Sequence, residues 1–257
     1  LGGSKTVILF LTYHRVHVPG DEKPPDVYTI TPGTLAAHLD ALEAAGLRPS
    51  SPETLVEPLS PGARRCYLAF DDGTVDHAQV VLPELCRRGW RAVFFVPTGK
   101  LDRPGRLSRE QLRQLADAGQ TIGCHGHEHR RMDRLGREEI HRELDLAVRT
   151  LREVTGTGPW IFAPPGGYMN AMLRAAALER GLRVIRTMRL GLNRRADVTA
   201  LETVPVHRLM TARQFEAILA GRCSRPLYLA KETLKALVPI RIYERLRALI
   251  FRLGGAS

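Results

Sequence analysis

The 257-residue chain carries 38 Lys/Arg against 27 Asp/Glu, a formal net charge of +11, and is 44% hydrophobic. That is enough chain for one large α/β domain, and no apolar run reaches the roughly 18 residues that a membrane span needs. Cys66, Cys86, Cys124 and Cys223 lie far apart with no C-x-x-C pair, which argues against a disulfide framework or a cysteine zinc site and for a reducing, cytoplasmic compartment.

The opening LGGS lacks Met, which leaves open whether a preceding segment was removed. No cleavage site follows, and Thr6–His14 (TVILFLTYH) reads as a strand buried on both faces rather than a secretory signal. Thr31-Pro32 marks a helix start, Leu35, Leu39 and Leu42 recur at helical spacing, and Gly46 closes that helix. CYLAF (66–70) is the next buried strand, then AQVVLPELCRRG is a helix capped by Gly89. RAVFFVPTG is a strand. Ser108 and Gln111 form an S-x-x-Q capping box before a helix. QTIGCH is a strand, GREEIHRELDLAVRTLREVTG a long amphipathic helix, WIFAPPGG a strand running into a loop. NAMLRAAALERGL is a helix, and RVIRTM and ALETVPVHRL are strands. Strand and helix alternate at least five times, which requires a parallel sheet with crossover helices, either a barrel or an open doubly wound sheet. The dinucleotide and Walker phosphate fingerprints are absent.

From Gly221 to Ser257, eight Lys/Arg face only Glu232 and Glu244, a net of +6. Leu234, Leu237 and Val238, then Ile242, Leu246, Leu249, Ile250 and Leu253, recur at helical spacing around Pro239. A basic amphipathic tail of two helices follows, suited either to packing on the main domain or to an anionic membrane surface. The sequence thus divides into a main domain (1–220) and a tail (221–257). The charge alone would also suit nucleic acid, but no nucleic-acid motif accompanies it, and none is expected as a partner.

In parallel α/β folds, functional groups collect at the carboxyl ends of strands, and several polar clusters fall there. Asp71 and Asp72 end the CYLAF strand, and Gly73 permits the turn that brings both to one place. Two adjacent carboxylates repel unless a cation neutralises them; a divalent metal is the simplest answer, an Asx-turn the plain structural alternative. CHGHEHRR holds His125, His127 and His129. Neutral imidazole is the commonest metal ligand, and spacing alone leaves open which pair binds: His125 and His129 share a helix face, all three share a strand face. A zincin H-E-x-x-H is excluded, because the second His would fall at Arg131. In IFAPPGGYMN, Pro164-Pro165 stiffen the loop and Gly166-Gly167 let backbone N–H groups approach a ligand, as an oxyanion hole requires.

This combination of F-D-D-G, H-x-x-x-H about fifty residues later and a Pro-Pro-Gly loop closing a strand resembles the polysaccharide deacetylase family, over roughly Val7 to Leu219 and including LTYHRV. The resemblance implies a distorted (β/α) barrel and a metal-dependent hydrolase of N-acetyl groups on amino sugars. It implies Asp71 as general base; Asp72, His125 and His129 as ligands of one divalent ion, usually zinc; and His127 as a spacer. Gly166 would offer its N–H to the oxyanion, with Pro165, Gly167 and Tyr168 lining the substrate site. Two departures stand out. Many members carry Arg where this chain has Ala163, and that Arg braces the catalytic Asp. The late Leu-x-His source of the general acid has no clear counterpart, leaving His207 (VPVHRL) and His14 (TYHRV) as candidates. The expected partner is an N-acetylated sugar, polymeric or lipid-linked, handled in the cytoplasm or at the inner leaflet. The alternative is an inactive carbohydrate-binding relative.

Overall fold

A computed structural model describes residues 6–18, 26–58, 60, 62–193 and 197–223. The expected tail helices lie, from residue 224 onward, outside the described residues. Residues up to Gly221 form one compact unit.

In chain order the strands are β1 (Val7–Tyr13), β2 (Arg15–Val16), β3 (Thr29–Ile30), β4 (Arg64–Asp71), β5 (Val93–Val96), β6 (Thr121–Cys124), β7 (Ile161–Phe162), β8 (Val184–Leu190) and β9 (Leu201–Pro205). The α-helices are α1 (Pro32–Ala44), α2 (Leu82–Arg88), α3 (Arg109–Asp117), α4 (Arg137–Thr155), α5 (Ala171–Glu179) and α6 (Ala212–Leu219). Seven strands close a barrel in the order β1-β4-β5-β6-β7-β8-β9. Every pairing is parallel, and β9 returns to β1 through Leu11↔Val204 and Thr12↔Pro205. The expected (β/α) barrel is the fold, and the open-sheet option is not. Among the described residues, no helix is long and apolar enough to cross a membrane.

Helix starts follow the capping signals. The Thr31 and Asn170 side chains accept from Thr34 N–H and Leu173 N–H, and Ser108 with Gln111 forms the full capping box. Each such cap is worth ~1 kcal/mol. Four elements have weaker sequence signals. The paired β2 and β3 are two residues each, too short to show a period. A π-helical turn, His77–Val81, precedes α2. Helix α6 follows a Thr211/Gln214 capping box.

The barrel interior is filled by Ile8, Phe10, Tyr67, Ala69, Val93, Phe95, Ile161, Ala163, Val184 and Leu201. Side chains alternate across a strand, so this set fixes the parity of each strand. On β4, Asp71 follows Tyr67 and Ala69 inward. Beyond β1, His14 continues the parity of Ile8 and Phe10. On β8, Arg186 continues that of Val184. With the lumen packed, ligands have access to these groups only from the carboxyl end, where the connecting loops lie.

Candidate active site

Asp72 and Gly73 both adopt left-handed backbone, φ +75° and +56°. This tight turn is what lets two consecutive residues serve one site: Asp71 stays on the lumen side of β4 while Asp72 swings to the rim. Asp tolerates the left-handed region better than most residues; Gly carries no Cβ to resist it. The turn is held from the loop after β5, where Leu107 N–H donates to Gly73 O (2.9 Å) and the Arg106 guanidinium to Asp72 O (2.7 Å).

His125 and His129 come from the irregular loop after β6, neither helix nor strand. His129 Nε2 lies 2.9 Å and His125 Nε2 3.4 Å from the same oxygen, Asp72 Oδ1. Ligand atoms of all three residues lie within 4.8 Å of one another. His127 is turned away, with Nδ1 2.8 Å from Thr98 Oγ1. His129 has φ +58°, so two of the three clustered residues sit in left-handed backbone, strain of the kind found where function over-determines a conformation. Glu143 of α4 is buried, and its Oε2 accepts the N–H groups of both His127 (2.8 Å) and Glu128 (2.9 Å). One helix residue thereby pins the segment between the two imidazoles.

The donor set fits a divalent cation. His125 Nδ1 lies 2.5 Å from Ala163 O, so Nδ1–H is the donor and the Nε2 lone pair faces Asp72. A second-sphere bond of this kind is the usual way to fix a ligand tautomer. A lone pair aimed at a carboxylate oxygen is repulsive unless a cation or a proton sits between them. Two imidazoles and one carboxylate, with the remaining positions open, is the composition of a catalytic divalent site. Burial alone would push the Asp72 carboxyl up; with a proton on each Nε2 in place of a cation, hydrogen bonds from His125 and His129 outweigh it and hold Asp72 well below the usual carboxylate range.

Asp71 is buried and does not join the cluster. Its two oxygens each lie 2.6 Å from Arg186 Nη2, and Arg186 is itself fully buried, with its guanidinium 4.9 Å from the Phe95 ring centre. Arg186 answers the departure at Ala163. The register Ile161↔Val184, Phe162↔Ile185 extends one step to set Arg186 beside Ala163, so the neighbouring strand supplies the guanidinium and the small Ala163 leaves it room. The sequence reading missed Arg186. The available signal was an Arg at a lumen-facing position of an otherwise apolar strand.

His14 Nε2 is 3.9 Å from Asp71 Oδ2, and its ring stacks on Tyr28 at 4.7 Å. His207 lies just past β9 at the same barrel end. Beyond β7, the Gly167 N–H donates to Pro164 O (2.8 Å), whereas the Gly166 N–H, in the exposed part of the turn, meets no acceptor among the described residues. Gly167 has φ +74°, and a Cβ there would lie 2.2 Å from Met188 N; only glycine fits. Pro165 is buried. Tyr168 carries the Arg131 guanidinium 3.5 Å over its ring. Gly167 and Tyr168 also line a cavity of about 630 Å³ with Arg174, Leu178, Thr187 and Arg189.

Residues 59–185 match the family model described as polysaccharide deacetylase. The chain is 29% identical over 116 residues to chitin deacetylase 1 of Cryptococcus neoformans var. grubii, covering 45% of this chain and 24% of that protein. It thus spans about a quarter of that relative's length. Among solved structures, the Streptococcus pyogenes deacetylase PplD in complex with acetate is similar with a TM-score of 0.74 at 19% identity, over 86% of this chain and 100% of that one. IcaB from Ammonifex degensii is similar with a TM-score of 0.71 at 23% identity, over 84% and 97%. At these identities the structural likeness establishes the fold.

Proposed function

Because the chain belongs to the polysaccharide deacetylase family, we propose that it is a metal-dependent hydrolase that removes the N-acetyl group from an amino sugar and releases acetate. The observation that carries this reading is the division of labour between neighbouring carboxylates: Asp72 faces two imidazoles, Asp71 faces a guanidinium.

Asp72, His125 and His129 would hold one divalent ion, with zinc the first choice for two imidazoles and a carboxylate. Such an ion, when bound, supplies Lewis acidity, polarising the acetamide carbonyl and making a water easier to deprotonate. Asp71 accepts the proton of the attacking water; Arg186 balances its charge without occupying the rim. The Gly166 N–H donates to the oxyanion that develops on the acetyl carbonyl oxygen. His14, rather than His207, returns a proton to the departing sugar amine, on the strength of its distance from Asp71. The proton thus passes from water to amine across two groups that face each other. Gly167 and Tyr168, beside the 630 Å³ cavity, are the natural contacts for the sugar.

The competing reading is a carbohydrate-binding relative without turnover. The Arg186–Asp71 pair weighs against it, because it restores the brace whose loss at Ala163 motivated that reading. The test is acetate release from free, polymeric and lipid-linked N-acetylhexosamines. Wild type is expected to release acetate from at least one, and Asp71→Asn to lower the rate by ~10² or more while still binding the sugar. Binding with no release from any of them would establish the non-catalytic reading instead.

A further inference from the structure

Two buried polar residues are not used by this chemistry. Asp76 is 2% exposed and His77 fully buried, the His77 ring packed at 5.7 Å from Phe70 and 5.6 Å from Phe94. Burying a carboxyl and an imidazole costs stability unless each is matched by a partner, and an apolar pair would fill the same space between aromatic rings. Their partners are specific. His77 Nε2–H donates to the backbone C=O of His14 (2.6 Å), and Asp76 Oδ2 accepts the N–H of Val16 (2.8 Å). The two bonds grip the main chain at His14 and two residues beyond it. Asp76 is the N-cap and His77 the first residue of the π-helical turn that starts five residues after Asp72, and such turns recur at functional sites. The same short stretch therefore carries Asp71, Asp72 and a clamp on the strand end that bears His14.

We infer that Asp76 and His77 are positioning residues: they fix the β1–β2 backbone so that the His14 ring, backed by Tyr28, keeps Nε2 toward Asp71. The inference rests on the deacetylase reading only for His14's role as proton donor; the clamp itself is a statement about geometry.

Two readouts separate these layers. The first is deacetylation kinetics with metal content. The second, independent of activity, is the rate at which diethyl pyrocarbonate carbethoxylates His14, followed by mass spectrometry. His77→Leu removes the donor, and His77→Gln keeps an amide N–H to replace it. For His77→Leu, kcat is expected to fall roughly 10- to 100-fold, a part of what aligned proton transfer contributes, with KM and metal content unchanged and His14 labelling faster. His77→Gln is expected to restore both readouts. Should His77→Leu not fold, Asp76→Ala, which frees only the Val16 N–H, carries the same expectations, with Asp76→Asn as its rescue. Unchanged kcat and labelling, parallel loss of metal and KM, or a folded Gln variant that fails to rescue would overturn the clamp. If wild type releases no acetate, the deacetylase reading fails, and the labelling rates still decide the clamp.

Discussion

A buried carboxylate needs a counter-charge, and for Asp71 that is the guanidinium of Arg186, 115 residues away in sequence. Both are out of water, so the pair is worth more to the site than a surface ion pair, and removing one partner strands the other. Arg186→Met is therefore expected to lower the stability of the fold by ~3 kcal/mol and to cut kcat while metal content stays at the wild-type level. Denaturant titration, metal analysis and acetate assay of the same preparation check it; full activity would show that Asp71 works unaided. Asp71 and Asp72 were legible in the sequence because adjacent carboxylates at the end of an apolar strand call for a cation. Arg186 was not, because nothing local in RVIRTM says whether its Arg points to the lumen or to solvent; that is decided by strand parity once the barrel has closed.

At the level of elements, the site depends on loops braced by helices and by each other. Glu143 is the clearest case: one carboxylate oxygen from α4 takes two N–H groups of the segment between His125 and His129. Glu143→Ala leaves both unpaired and frees the loop. The affinity for a divalent ion is expected to weaken roughly tenfold or more, the usual scale for second-sphere partners, with Glu143→Gln between it and wild type. Chelator competition measures this, and equal affinities would remove Glu143 from the account. Capped helices and long apolar strands could be read directly from spacing. The His-rich loop could not. Its i, i+4 histidines fitted a helix face or a strand face equally well, and the actual path is irregular, set by Glu143, by Thr98 on His127, and by the left-handed turn at His129. Gly167 was legible only as loop chemistry; the close approach of Met188 that demands glycine is a contact between the turn after β7 and β8.

For the described unit as a whole, closure of β9 onto β1 does two things. It seals the lumen with a packed apolar plug, and it gathers the ends of β1, β4, β6, β7 and β8 within reach of one another. The (β/α) barrel was foreseeable from the family resemblance carried by the F-D-D-G, H-x-x-x-H and Pro-Pro-Gly order. Alternation of strands and helices alone did not give the closure or the number of strands, since periodicity is the same in an open sheet. Central to the proposed function is one ion held by Asp72, His125 and His129, with Asp71 left out of its shell. Metal titration of the purified chain, in wild type and in Asp72→Asn, His125→Ala, His129→Ala and Asp71→Asn, tests this most directly. The prediction is one divalent ion per chain in wild type and in Asp71→Asn, and affinity weakened by ~10² or more in the other three, each having lost a direct ligand. Loss of the ion in Asp71→Asn as complete as in Asp72→Asn, or retention at wild-type affinity in the three ligand variants, would contradict it.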